Sequence, residues 1–225
     1  MPNMTAVGVV DSTGSPASEG RGRRSQAERT GATRTALLDA AIELLAEEGY
    51  AATTTRRVAQ RAGVSPGALQ HHFASKIVLL GEARSRIQGR IVQAMIGQEP
   101  PDGCSVRERH EFLLDRMWEI YNGPLFHAAV ELWAAARTNP ELRELCADTP
   151  EQTRALIELG APVLYPHLAG SPDLVPLIIT GQATMRGLIL MATAGEVDAQ
   201  LAWPQAREHI LAMSATILDL PEMLE

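Results

Sequence analysis

The chain has 225 residues and a mass of 24.3 kDa, with 45% hydrophobic and 21% charged residues. That is ordinary globular usage, and the length suffices to bury a core without disulfide or metal staples, so collagenous and wholly disordered classes are excluded. The net charge of −7 does not by itself suggest nucleic acid, but it is unevenly spread: residues 21–100 carry twelve Arg/Lys against seven Asp/Glu, and residues 101–225 carry eight against eighteen. A basic N-terminal third joined to an acidic remainder is the split expected of a nucleic-acid reader with a separate partner module.

Residues 1 to about 28 are rich in Gly, Ser, Thr, Pro and Arg and poor in apolar side chains. They bury too little to offset ordering entropy, and a disordered tail over 1–28 is expected. The Arg21–Arg24 cluster at its end reads either as a solvated charge run or as an arm that touches phosphates. Ala6–Val10 is too short and too poorly flanked for a signal peptide, so a cytoplasmic protein is expected.

Beyond the tail the pattern is helical throughout. Leu37, Leu38, Ala41, Ile42, Leu44 and Leu45 form an i, i+3, i+4 stripe, with Glu43, Glu47 and Glu48 off it and Gly49 as the stop. Thr54 can cap a second short helix carrying Val58, Ala59 and Ala62, ended by Gly63. Ser65-Pro66 is a helix-start signature, with Leu69 and Phe73 on the inner face. Ser75 can cap a longer fourth helix to about Gln98, with Ile77, Leu80, Ile87, Ile91 and Met95 inward.

Glu99-Pro100-Pro101-Asp102-Gly103 is a break. Ser105 and Glu108 have capping-box spacing for a helix through Tyr121. A helix from Pro124 to Thr138 follows. Asn139-Pro140 starts another, kinked or interrupted at Pro150 and Pro162. Ser171-Pro172 starts a helix to about Ala194, and Trp203-Pro204 the last, to about Leu218, with Pro221 beyond. The expected fold is all-α, of roughly nine helices. The apolar stretch Leu174–Gly195 contains Pro176, Gln182 and Arg186 and reads as a packed helix rather than a membrane span. Cys104 and Cys146 lack metal or redox spacing; they could form one disulfide, but free thiols are expected in a reducing cytoplasm.

The informative segment runs from Thr53 to Phe73. Two short helices flank a tight turn at Gly63-Val64-Ser65. Gly63 can supply positive φ, Val64 can plug the gap between the helices, and Ala59 is small where they cross. This is a helix-turn-helix pattern, whose second helix enters the major groove. Pro66, Gly67 and Ala68 are small at its start and let the helix's positive end approach DNA. His71 and His72 as a metal pair are disfavoured, because adjacent helical side chains diverge by about 100°.

Over residues 31–91 the chain resembles the TetR (tetracycline-repressor-like) family of transcriptional regulators. The resemblance rests on Ala40-Ala41-Ile42, Glu48-Gly49-Tyr50, Thr54-Thr55-Arg56-Arg57-Val58-Ala59, Ala62-Gly63-Val64-Ser65, Gly67-Ala68-Leu69, His72-Phe73 and Ser75-Lys76 with Leu79-Leu80. It implies a DNA-binding domain over 29–91, with its motif at about 54–73, and a regulatory and dimerisation domain over 92–225. It implies DNA contacts from Thr55, Arg56, Ser65, Pro66, Gly67, Ala68, Gln70, His71 and Lys76. An arginine fork at Arg56 suits guanine O6 and N7, and Lys76 matches the lysine that meets phosphate. Gln70 stands where the family usually has a tyrosine, so the operator sequence is expected to differ.

The resemblance also implies a small-molecule pocket in the C-terminal half, for which Met117, Trp118, Tyr121, Phe126 and Trp133 are candidate walls and His110, Asn122, His127 and Arg137 candidate polar groups. Plain core packing explains the same aromatics. Helices over about 172–219 are expected to form a homodimer as a four-helix bundle across a two-fold axis, and Arg186 within them needs a carboxylate or carbonyl partner. The expected function is a homodimeric regulator, a repressor released from a near-palindromic operator by a small, largely apolar ligand, with no cofactor or metal. A DNA-binding regulator without such an inducer is the alternative. An enzyme is disfavoured: the chain has no GxSxG, HExxH, P-loop or GxGxxG.

Overall fold

The computed structural model describes residues 26–97, 99–146 and 170–218. The expectations for the Arg21–Arg24 arm, for most of the tail, for the kinks at Pro150 and Pro162 and for Pro221 lie outside these residues. Among the described residues there are nine helices and no strand: α1 (Gln26–Ala52), α2 (Thr55–Arg61), α3 (Pro66–His72), α4 (Lys76–Ile96), α5 (Val106–Tyr121), α6 (Pro124–Ala136), α7 (Pro140–Cys146), α8 (Leu174–Thr193) and α9 (Ala199–Ile217). The all-α expectation holds.

Local chemistry sets most of the boundaries. Thr54, Ser65 and Ser75 each accept a hydrogen bond from the backbone N–H three residues on, at 3.3, 3.1 and 3.2 Å. Ser105 and Glu108 form the reciprocal capping box of α5. Each such cap is worth about 1 kcal/mol. Regular helix in α1 ends at Gly49, whose φ of +80° breaks the ladder before a last short turn.

Three boundaries differ from expectation, α8 among them: it begins at Leu174 after Asp173, past Ser171-Pro172. α1 begins at Gln26, inside the stretch read as tail; the Thr30 and Thr33 hydroxyls donate back to carbonyls four residues earlier, at 2.9 and 3.0 Å. α9 begins at Ala199 rather than at Trp203-Pro204. Asp198 caps it by accepting from Gln200 and Leu201 N–H, and Pro204 lies inside the helix, where it cannot donate to the Gln200 carbonyl.

Two apolar cores result. The first joins Leu37, Ala41, Leu44 and Leu45 of α1 to Val58, Ala59, Leu69, Phe73, Leu79, Leu80, Ala83 and Ile87. On α4 the fully buried positions are these last four, while Ile77, Ile91 and Met95, expected inward, are half-buried. The first core continues without a break into Ala128, Ala129, Leu132 and Ala136 of α6 and Leu142 of α7, across the boundary expected at 91/92. The second core gathers Leu114, Met117, Trp118 and Tyr121 of α5, Phe126, Met185 and Ile189 of α8, and Trp203, Ile210 and Leu211 of α9. α6 therefore belongs to both, through its alanines on one face and Phe126 on the other.

α8 is the one helix among the described residues long and apolar enough to cross a membrane. It buries Leu174, Leu177, Gly181, Met185 and Ile189 and exposes Ile179, Leu190 and Met191. Cys104 and Cys146 are not joined by a disulfide; Cys146 is buried and Cys104 half-buried.

Candidate DNA interface

α2 and α3 are held as a rigid corner. Thr53 is buried, and its hydroxyl donates to the Gly49 carbonyl at 2.8 Å, tying the entry of α2 to the end of α1. Val58 and Ala59 fix the inner face of α2. At the turn, Gly63 has φ +68°, and the Val64 N–H closes onto the Ala59 carbonyl at 2.9 Å. A Cβ at Gly63 would meet nothing within 4 Å, so the turn needs glycine for its backbone angle and not for space. Leu69 and Phe73 anchor α3 from below.

This anchoring leaves Ser65, Pro66, Gly67, Gln70 and His71 exposed on the outer side of α3, with Ala68 half-buried. Arg56 is exposed at the start of α2 and carries no acceptor among the described residues, whereas Thr55 beside it is half-buried. These are the groups that can meet base edges and phosphates.

Five other arginines of the basic third, Arg34, Arg57, Arg61, Arg86 and Arg90, are held within the fold. Arg57 pairs with Glu48 and donates to the Ala52 carbonyl. Arg61 pairs with Glu43 and Glu47 at 3.4 and 2.9 Å. Asp39 receives Arg86 at 2.6 Å and Arg90 at 2.7 Å, stitching α1 to α4. Arg34 binds Glu82, donates to the His72 carbonyl at 3.2 Å and lies 4.7 Å from the Phe73 ring centroid. It thus closes the C-terminal end of α3. The net positive count of this third overstates the charge available to DNA.

Lys76 also turns inward. Its Nζ donates to the Tyr50 carbonyl at 3.0 Å and sits 3.9 Å from the Tyr50 ring centroid, and burial holds its pKa below the ordinary lysine value. The resemblance led to an expectation of a phosphate contact there; the structure shows a clamp on the end of α1. The Tyr50 N–H donates in turn to Glu131 of α6 at 2.9 Å. Glu131 was not singled out in the sequence, since nothing local marks a partner 81 residues away. His71 and His72 lie edge to face at 5.6 Å, and no metal-binding cluster occurs among the described residues.

In the C-terminal half the expected pocket walls are packed against one another. Trp118 stacks on Trp203 at 4.6 Å with the ring planes parallel to 1°. Tyr121 lies 4.9 Å from Phe126, and Phe126 meets Trp133 edge-on at 5.8 Å. Met117, Trp118, Tyr121 and Phe126 are buried, while Trp133 is 42% exposed. Of these five, only Met117 borders the small cavity of about 20 Å³ that His110, Leu114, Leu177, Ile210 and Ser214 also line, room for one water at most. The others fill space where walls of an open pocket were expected. Among the polar candidates, His110 reaches that cavity. His127 lines a separate open cleft of about 450 Å³, between the end of α1, Val130 and Glu131 of α6, and Ile189 to Thr193 of α8. Asn122 and Arg137 are exposed helix ends.

Of the two partners expected for it, Arg186 finds a carbonyl, that of the Gln182 side chain, and no carboxylate among the described residues. Its Nη2 donates to the Tyr121 hydroxyl at 3.2 Å and, at 3.4 Å, to Gln182. Burial pushes the Tyr121 phenol above its ordinary value, against the pull of the Arg186 charge.

Comparison with known proteins agrees with this geometry. The family model described as bacterial regulatory proteins, tetR family, matches residues 37–83, the span from α1 to the middle of α4. The HTH-type transcriptional regulator CymR of Pseudomonas putida is 33% identical over 139 residues, which is 60% of this chain and 66% of that protein. The HTH-type transcriptional repressor KstR2 of Rhodococcus jostii is 51% identical over 49 residues, 22% of this chain and 24% of that protein. A Rhodococcus structure described as a TetR-family transcriptional regulator superposes with a TM-score of 0.59 at 28% identity, covering 82% of this chain and 98% of that one. These relatives are regulators and not enzymes. The chain belongs to the TetR family of DNA-binding transcriptional regulators.

Proposed function

We propose that the chain is a homodimeric repressor that holds a near-palindromic operator and releases it when a small, largely apolar ligand enters the C-terminal half. The observation that carries the DNA-binding part is the exposed set Arg56, Ser65, Gly67, Gln70 and His71 around the start of α3, on a corner whose other arginines are already paired. Arg56 and Gln70 read bases, and Thr55, Pro66, Ala68 and the N-terminus of α3 approach phosphates. Lys76 serves the interface by fixing Tyr50, and hence the end of α1, beneath α3.

Dimerisation through about 172–219 is supported by the apolar positions that α8 and α9 leave exposed, namely Ile179, Leu190, Met191, Leu201 and Ile217. A two-fold partner would cover them and place two α3 helices in successive major grooves. A ligand must bind the released state better than the DNA-competent one, and DNA must weaken the ligand by the same factor. The cavity beside Met117 is far smaller than a ligand, so binding there requires the α5, α6 and α9 aromatics to part. The Trp118–Trp203 stack favours a second reading, in which the regulator answers to no small molecule.

The test is a mobility shift on the DNA upstream of the protein's own gene, with wild type and with Gln70→Ala. Retention of that DNA by wild type, weakened in the variant, supports the reading. Equal retention of every duplex by both contradicts it.

A further inference from the structure

The effector reading leaves the chemical class of the ligand open, and Arg186 narrows it. Arginine stays protonated in proteins, and Arg186 is half-buried, so an anion is the partner that best offsets its partial desolvation. Arg34, Arg57, Arg61, Arg86, Arg90, Arg107, Arg116 and Arg207 each have a carboxylate partner. Arg186 has none among the described residues. Its acceptors are a phenol and an amide, both neutral. Its Nε is shut off from solvent and unbonded. Arg207 also has a buried, unbonded Nε, but Asp115 neutralises it at 2.6 Å.

The surroundings are built for one anionic group on an apolar body. The guanidinium carbon lies 5.1 Å from the Tyr121 ring centroid and 5.4 Å from that of Trp133. Two aromatic rings offset part of the desolvation cost of the cation and leave its N–H edge for an oxygen ligand. Phe126 backs both rings. Trp133, 42% exposed, stands between this group and solvent. Among the described residues no cation other than Arg186 stacks on the Tyr121 or Trp133 ring or donates to the Gln182 side chain, so the group facing these rings matches a single negative charge.

We propose that Arg186 is the anion-recognising group of the effector site and that the effector is a monocarboxylate on an apolar, ring- or chain-like body. The carboxylate takes the Nε–Nη2 edge in a two-bonded fork, displacing the long Gln182 contact, and the body lies against Trp133 and Phe126. This assignment rests on the reading of the C-terminal half as an effector site.

The test uses the full chain and three matched pairs of probes: benzoate and benzamide, phenylacetate and phenylacetamide, octanoate and octanamide. Tryptophan emission and thermal melting report binding, and light scattering reports the oligomer. At least one acid should bind wild type about tenfold or more tightly than its amide, as expected for a hydrogen bond to a charged group. Arg186→Met should abolish that preference and should melt higher than wild type without ligand, because an unpaired charge is gone. Arg186→Lys should bind the acid more weakly than wild type for want of the fork.

Equal binding of acids and amides, no response to any acid, or an acid preference that survives Arg186→Met would overturn the assignment. So would an Arg186→Met protein that falls apart into monomers, which would mean that a carboxylate of a second copy is the missing partner. Failure of the effector reading looks different: acids bind through Arg186 yet leave the operator complex intact.

Discussion

Glu131 on α6 accepts the backbone N–H of Tyr50 at 2.9 Å, at the point where α1 leaves its regular helix. Lys76, the first residue of α4, holds the carbonyl of the same tyrosine. One residue is thus gripped from the helix shared by both cores and from the helix that follows α3. Movement of α6 has a direct route to the DNA-facing corner through this contact.

Removing the acceptor should expose the dependence. Glu131→Ala leaves a part-buried N–H without a partner and should destabilise the fold by about 1–3 kcal/mol. Glu131→Gln keeps an acceptor oxygen and should cost much less. Urea unfolding of the two variants measures the difference; equal losses would show that the bond carries no weight.

The glycines at Gly49 and Gly63 have positive φ for different reasons. A Cβ at Gly49 would stand 2.8 Å from the Glu131 carboxylate oxygen, whereas at Gly63 it would meet open space. Both alanine variants bear the left-handed strain of about 1 kcal/mol, and Gly49→Ala should lose further stability by pushing Glu131 off Tyr50. Melting temperatures should fall more for Gly49→Ala than for Gly63→Ala.

Neighbouring arginines on α2 should behave differently towards DNA. Arg56→Ala should weaken operator binding by about 1–3 kcal/mol and relax preference at one base pair. Arg61→Ala, whose side chain is engaged by Glu43 and Glu47, should leave operator affinity nearly unchanged. Fluorescence anisotropy on one operator duplex compares them.

The capping box of α5 makes one stability term acid-sensitive. The Ser105 backbone N–H, and then its hydroxyl, hold the Glu108 carboxyl below its ordinary pKa. Its contribution is present above the unfolded value of 4.5 and is lost as pH falls through the lower folded value. The gap in melting temperature between wild type and Glu108→Gln should therefore be open at about pH 6 and close towards about pH 3. A gap independent of pH would contradict this.

What the sequence made legible was local. The caps at Thr54, Ser65, Ser75 and Ser105 and the Gly63 turn depend on residues within three or four positions, and all are where the pattern puts them. The start of α9 was misjudged because Pro204 looks like a first-turn proline while Asp198, four residues before Ala202 N–H, does the capping. The partners of Arg34, Arg86 and Tyr50, separated by 38, 47 and 81 residues, follow from packing alone. For the same reason the clamp of Lys76 on Tyr50 and the stack of Trp118 on Trp203 could not be read from the sequence. The tyrosine and tryptophan that engage them come from distant helices.

The most direct measurement is enrichment of genomic fragments by the purified protein at near-physiological salt, followed by sequencing. A short inverted repeat with half-sites about one helical turn apart, lost on Gln70→Ala and weakened as salt rises, is the expected result. Retention without a common sequence, or a preference that survives Arg56→Ala with Gln70→Ala, would contradict operator reading through α2 and α3.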